Sequence, residues 1–509
     1  MSSKKRFAIN VGTNWIAMAV GMVVPFFLAP FVVRHLGATI YGIWILAVST
    51  AAYLNMLDLG LRSAITRFVS KSATEGDTLA AQKAIAATLW FRGLIAAVMV
   101  IISIALSVWF GAIFKIPHDL VRPAQITVLL CALGVASTLV AGVYGGVLRA
   151  INRFDVLSSI TMTQTLVRAV GVILILRSGH GLVVLAVWEF VIVFLSAVSE
   201  FVFALRLYPP CRIFVFRPDM KTLKSIWSYS FKAFVIIVAV QIVFYTDNIV
   251  VGAFLSVGVV TFYSIAGSLA MYSGQIATTM GTTFMPMASG FDASGNAASL
   301  KKLLLRGTQA MLGLMLPIGV TLLLRGKTFI GLWMGPQFSE TSGTILQILL
   351  ISQFFSIGNA TSGQIAYGVD KHKSVATCAA IEAVFNLGLS LILVKVIGLY
   401  GVAWGTSISM AVVHLIFWPR FVSKELGVSP ITYLWEGWGK MILCAIPFAI
   451  VSLLAERHLH PGSLVVFFGQ VLLTLPIYFL TVLAIFHKPM LSAFKRWQVS
   501  RRPVLQGTV

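Results

Sequence analysis

The sequence predicts an all-α polytopic membrane protein with about 14 transmembrane helices. Three observations carry that expectation. Hydrophobic residues make up 58% of the 509 positions and charged residues only 11%, where a soluble domain carries about 25% charged. Apolar runs of the roughly 20 residues needed to cross a hydrocarbon core recur along the whole chain. Lysines and arginines gather in every second connection between those runs, the pattern of a multi-pass protein.

Taken in order, spans are expected near 8–33, 40–60, 84–110, 124–148, 156–176, 181–205, 228–256, 259–287, 303–324, 341–369, 374–396, 400–420, 437–456 and 463–486. The first follows Lys4, Lys5 and Arg6. It is longer than the ~7–15 apolar residues of a signal peptide, and no small-x-small cleavage site follows, so a retained helix is expected. With the N-terminus cytoplasmic, 27 of the 38 lysines and arginines fall on the cytoplasmic side and 8 on the other. Arg92, Arg168 and Lys232 remain inside spans. Both termini are therefore expected in the cytoplasm. The net charge of +22 reads as topology, not as a nucleic-acid footprint.

The connections are short, which argues against a catalytic domain outside the membrane. The sequence holds no HExxH, no GxxxxGK[ST] and no DxD, so neither an enzyme nor ATP hydrolysis is expected. Cys131, Cys211, Cys378 and Cys444 form no CxxC pair and suggest neither a disulfide framework nor a metal cofactor.

The two halves echo each other at an offset of about 220 residues. "GGVLRAINRF" closes the fourth span and "AYGVDKHKS" the tenth; "LVRAVGVILILRSGHGL" forms the fifth and "VFNLGLSLILVKVIGLYG" the eleventh. Two parallel six-helix lobes are expected, at 1–210 and 228–425, joined by a cytoplasmic linker at 211–227. Residues 426–509 add two helices and a basic tail without a counterpart in the repeat. Repeated lobes with a site between them are a common transporter plan.

"PFVVRHLGATIYGIWILAVSTAAYLNMLDLGLRSAITRFVS" and "TDNIVVGAFLSVGVVTFYSIAGSLA" resemble the oligosaccharide (Wzx-type, O-antigen/polysaccharide) flippase family. Its superfamily includes the multidrug MATE exporters and the lipid II flippases. The resemblance covers the first twelve spans. It implies a MATE-like fold in the plasma membrane and a monomer. It also implies transport of a polyprenyl-pyrophosphate-linked oligosaccharide from the inner to the outer leaflet. The mechanism it implies is alternating access, often coupled to Na⁺ or H⁺, beside glycan polymerase or assembly proteins. A multidrug or cation antiporter and a lipid II flippase are the alternatives within the superfamily. A membrane glycosyltransferase would need an outer loop or an interfacial acid that the sequence does not offer.

Arg92 stands roughly 12 Å into the third span and Arg168 roughly 18 Å into the fifth. Both are candidates for the substrate's pyrophosphate, which an arginine fork suits. Gln164, one turn from Arg168, could face the same cavity and is a candidate contact for the substrate's pyrophosphate or sugar. The structural alternative pairs Arg168 with Glu189 and Arg92 with Glu200. Lys232, near a helix end, is expected to snorkel. Asp247, a carboxylate deep in the seventh span, is costly there without a partner. The superfamily resemblance implies a cation site built from spans 7, 11 and 12, which points to Asp247, Asn248, Glu382, Asn386 and Thr406. Na⁺ at Asp247 and Glu382 is the one metal expected; a carboxyl pair would equally suit H⁺. His414 is expected to pack. Asp58 and Arg62, four apart, could pair at an inner gate. Pro25 and Pro30 are candidate hinges in the first span.

Overall fold

The computed structural model describes residues 3–58, 61–212, 238–239, 241–243 and 245–500; the side chains of residues 3–8, 11, 62, 63, 212, 278 and 487–500 are outside that description. Most of the expected linker 211–227, the start of the seventh span, Lys232 and the Arg62 side chain lie outside the described residues.

Among the described residues every regular element is helical. The first six long helices are α1 (Ser3–Leu54), α2 (Leu61–Glu75), α3 (Thr78–Ile113), α4 (His118–Ala150), α5 (Phe154–Arg177) and α6 (Leu182–Leu207). A helix over 245–254, α7, follows. Then come α8 (Val257–Gly281), α9 (Phe284–Ala293), α10 (Ala297–Trp333), α11 (Pro336–Gly368), α12 (His372–Ile397) and α13 (Leu399–Leu426). The short α14 (Pro430–Thr432) and a π-helical turn, Tyr433–Gly439, lead into α15 (Lys440–His458) and α16 (Leu464–Ser500).

Twelve described segments are long and apolar enough to cross a membrane. One of them, Gly12–Asp58, holds two of the expected spans, divided at Gly37. There φ is 75° and ψ 166°, a conformation that a residue without Cβ adopts readily. The helix runs past Pro25 and Pro30; the break falls at the glycine and not at either proline. Apolar side chains on α3 stand outward, with Ile101 68% and Trp109 65% exposed. A lipid environment would cover that surface.

The repeat is visible in backbone detail. The side chain of Asp77 caps α3 by accepting from Ala80 N, and Asn296 caps α10 by accepting from Ser299 N. Asn152 and Asp370 each close a long helix with φ of 58°. Each pair is separated by about 220 residues, the offset read from the sequence. The amphipathic helices α2 and α9 were not expected. They occupy matching places after the second span of each repeat, and each is too short to cross a membrane by itself.

The chain divides into two compact units, Met1–Ile265 with Ala376–Ser409, and Ala266–Val375 with Met410–Val509. These boundaries differ from those of the sequence repeat. In the first unit, α7 and the start of α8 are tied to α1. Gly42 leaves room for the carbonyl of Val257, and Gly252 seats against Leu46 and Phe114. Thr261 Oγ1 donates to Ala38 O at 2.6 Å. Val32 and Leu36 of α1 pack with Val172, Leu176 and Leu185 of α5 and α6. Gly146 lets α4 close over Ile65 of α2.

In the second unit, α10 extends beyond the expected span and carries Arg325 with it. The expectation put Arg325 in an outer connection; it is 1% exposed. Its Nε donates to Glu456 Oε2 at 2.9 Å and its Nη2 to Gln470 Oε1 at 2.5 Å. Its guanidinium lies 4.7 Å from the centre of the Phe467 ring. Thr328 also donates to Glu456. The two additional helices are thus bound to α10 by a shared buried cation.

Candidate functional site

Asp247 sits on α7 and is 5% exposed. Its Oδ2 accepts from Tyr263 Oη of α8 at 2.6 Å and from Thr406 Oγ1 of α13 at 2.8 Å. Asn386 Nδ2 of α12 donates to Thr406 Oγ1 at 2.8 Å. Three helices of the first unit therefore meet at one carboxylate, and α12 joins them through Thr406. Two further oxygens of the group, Asp247 Oδ1 and Asn386 Oδ1, are buried without a hydrogen-bond partner. Buried oxygens rarely lack one. Glu382, 8% exposed, lies one turn from Asn386 on the same helix. Carboxylate, amide and hydroxyl oxygens are the ligands that hard cations take, so this donor set fits Na⁺. Among the described residues no group of three or more His, Cys, Asp or Glu could hold a metal, so a transition-metal centre finds no ligand set here.

Asn248 adjoins Asp247, and its Oδ1 is, like those of Asp247 and Asn386, buried without a hydrogen-bond partner. Its Nδ2 donates to Ser49 Oγ of α1 at 3.2 Å. On the other side of Asp247, Thr246 and Tyr53 Oη are hydrogen-bonded. Gln241 donates to Ala52 O. Three consecutive residues thus engage different neighbours: Thr246 and Asn248 hold α1, and Asp247 holds α8 and α13. Tyr263 went unnoticed in the sequence because a tyrosine in an apolar run looks like ordinary packing. Its place about four turns beyond Asp247, across the short connection to α8, was the available signal.

The basic candidates part company. Arg168 Nη2 is 2.8 Å from Glu189 Oε1, the structural alternative, yet its side chain is 36% exposed. Gln164, one turn away, accepts from Ser196 Oγ of α6 at 3.3 Å. Arg92 differs from the expectation of a substrate contact: its side chain is fully enclosed. Its Nη1 donates to Leu139 O at 2.9 Å and its Nη2 pairs with Asp58. Glu200, on α6, lies beside Gly145 of α4, where a Cβ would come within 2.6 Å of its Oε2. Asp58 closes the end of α1 against α3 through Arg92; the side chain of Arg62, its expected partner, lies outside the described residues. His414 packs as expected, with Nδ1 3.2 Å from Phe355 O.

A family model described as "Polysaccharide biosynthesis protein" matches residues 8–291, more than half of the chain. The chain belongs to this family. Polysaccharide biosynthesis protein relatives include the "Uncharacterized membrane protein EpsK" of Bacillus subtilis. It is 24% identical over 440 residues, covering 83% of this chain and 84% of that protein. The "Probable low-salt glycan biosynthesis flippase Agl15" of Haloferax volcanii is 22% identical over 264 residues, 51% of this chain and 55% of that one. Among solved structures, the "Lipid II flippase MurJ, inward closed conformation" superposes with a TM-score of 0.75 at 16% identity, covering 95% of this chain and all of that one. An inward-facing multidrug resistance MATE family transporter of the MOP superfamily gives 0.67 at 16% identity, over 82% and 99% of the two chains. These likenesses establish the MATE-like membrane fold.

Proposed function

We propose that this polysaccharide biosynthesis protein is a flippase. Its substrate is a polyprenyl-pyrophosphate-linked oligosaccharide, moved from the inner to the outer leaflet of the plasma membrane for surface glycan synthesis. The family match supports the glycan assignment, and the observation that carries the mechanism is the Asp247 cluster. A carboxylate with one oxygen saturated by two hydroxyls and the other left bare is poised for a cation. Asp247, Asn386 and Thr406 would hold Na⁺ or H⁺, with Glu382 contributing charge from the next turn. A bound cation supplies the positive charge that this membrane-buried carboxylate lacks.

In this reading, alternating access uses the contact between α1 and α7. The bonds from Thr246 to Tyr53 and from Asn248 to Ser49 flank the cation site, so loading of Asp247 and release of α1 are felt along one helical turn. Arg168 is the exposed cation for the pyrophosphate, exchanging Glu189 for phosphate oxygens. Arg92 serves as a fixed strut. Both termini are cytoplasmic, as the basic residues favour, and no catalytic step is assigned to the chain.

The test is a strain lacking this protein, its lipids extracted and compared with those of a complemented strain. A complete lipid-linked oligosaccharide building up on the cytoplasmic leaflet, and clearing on complementation, is the expected result. Intact surface glycan without build-up would overturn the assignment. Within the complemented strain, Asp247→Asn is expected to remove the dependence of glycan export on an ion gradient; unchanged sodium and proton dependence would remove the coupling role.

A further inference from the structure

Between α5 and α6 lies a cleft of about 460 Å³ whose polar lining is Asp155, Ser159, Thr163 and Gln164 from one helix and Ser196 and Ser199 from the other. The first three recur every fourth residue and so share one helix face. From Asp155 to Gln164 the strip rises about 14 Å along α5. Six polar side chains on facing helices of a membrane protein are an unusual investment, because a lipid-facing surface there would be apolar.

The chemistry of the lining is specific. No lysine or arginine lines the cleft, and Asp155, held by Arg153 at 2.9 Å, is its one charged group. A phosphate would meet a carboxylate and no cation. A neutral polyol would meet mostly acceptors, with the Thr163 hydroxyl and the Gln164 amide nitrogen as donors. Ser159 and Ser199 give their protons to the backbone oxygens of Asp155 and Leu195, each at 2.8 Å, so their hydroxyl oxygens face a ligand as acceptors. Gln164 accepts from Ser196, and its amide nitrogen has no partner among the described residues. Val156, Ile160, Val167, Ile192, Leu195 and Phe203 supply the larger, apolar part of the surface, which suits the C–H face of a sugar ring. The volume falls within the roughly 300–1,000 Å³ of small-ligand sites.

We propose that this cleft is a saccharide-reading subsite that takes an uncharged sugar ring of the lipid-linked substrate and excludes its pyrophosphate. It rests on the flippase reading and adds where the glycan, as distinct from the carrier, is recognised. Thr163 and Gln164 are its specificity-determining residues.

The full-length protein in nanodiscs would be titrated with two probes: a polyprenyl pyrophosphate bearing one N-acetylhexosamine, and the same lipid pyrophosphate without sugar. Thr163→Val, which keeps shape and loses the hydroxyl, and Gln164→Leu are each expected to weaken the glycosylated probe about 5- to 10-fold. The bare probe should bind as before, and Thr163→Ser should restore the difference. Equal loss for both probes, or no change for either, overturns the assignment. Tighter binding of both would show that the cleft holds an acyl chain, which also overturns it. Wild-type protein that binds neither probe removes the flippase reading itself, an outcome distinct from a wild type that binds both and ignores the substitutions.

Discussion

Asp247 and Arg92 show how differently two intramembrane charges can be settled. Asp247 has two hydroxyl donors on one oxygen and none on the other. Arg92 has a counter-ion and a backbone carbonyl. The first arrangement leaves an acceptor oxygen for a ligand, and the second ties α3 to α4 and to the end of α1. Arg92→Ala removes its ion pair with Asp58, and breaking such a buried pair costs about 3–5 kcal/mol. A large loss of thermal stability in detergent is expected, whereas Arg168→Ala should leave folded protein at wild-type level and lower transport. Thr406→Val removes one donor from the cluster, and the cation concentration for half-maximal transport is expected to move about tenfold. Transport assayed over a cation series checks this. Asp247 was legible because a carboxylate is rare in such a run, and Asn386 and Thr406 because the family resemblance implied a site on their spans. The pairing of Asp58 with Arg92 was not, because depth along a helix does not say which neighbour a long side chain faces.

Helices were the most readable level, since a 20-residue apolar run leaves few alternatives. Their ends and joints were less so. The break in α1 comes at Gly37, though Pro25 and Pro30 were the stronger textual cues. Prolines inside a membrane helix are tolerated when neighbours satisfy the freed carbonyls. Close approach is equally hard to read: Gly42 looks like any glycine in a helix until α8 brings the Val257 carbonyl against it. Gly42→Ala must push that backbone away, an overpacking penalty of about 1–3 kcal/mol. Disulfide formation between Ser49→Cys and Asn248→Cys, fast in the parent, is expected to slow when Gly42→Ala is added.

At the level of the whole chain, the repeat was readable from its turns, while the compact units were not, because hydrogen bonds between α1 and α7 cross the repeat boundary. The role of the last two helices was also hidden. Their tie runs through Arg325, a residue that the hydropathy ruler left outside its span. Ending the chain before Pro430 would leave Arg325 buried without Glu456 or Gln470. Such a truncation is expected to yield little folded protein by size-exclusion chromatography. Adding Arg325→Met to the truncated chain should recover part of it, since a buried cation without a counter-ion is worse than an apolar side chain of similar length.

The run Thr246–Asp247–Asn248 has one more consequence. If the grip of its outer two residues on α1 differs between conformers while its middle residue holds the ion, the two equilibria are linked and the linkage is reciprocal. The conformer that releases α1 must then bind the ion with a different affinity, by the same factor through which the ion favours release. A tenfold factor corresponds to about 1.4 kcal/mol, the scale of one hydrogen bond. Two side-chain bonds to a single helix are therefore enough to make an ion gradient do directional work.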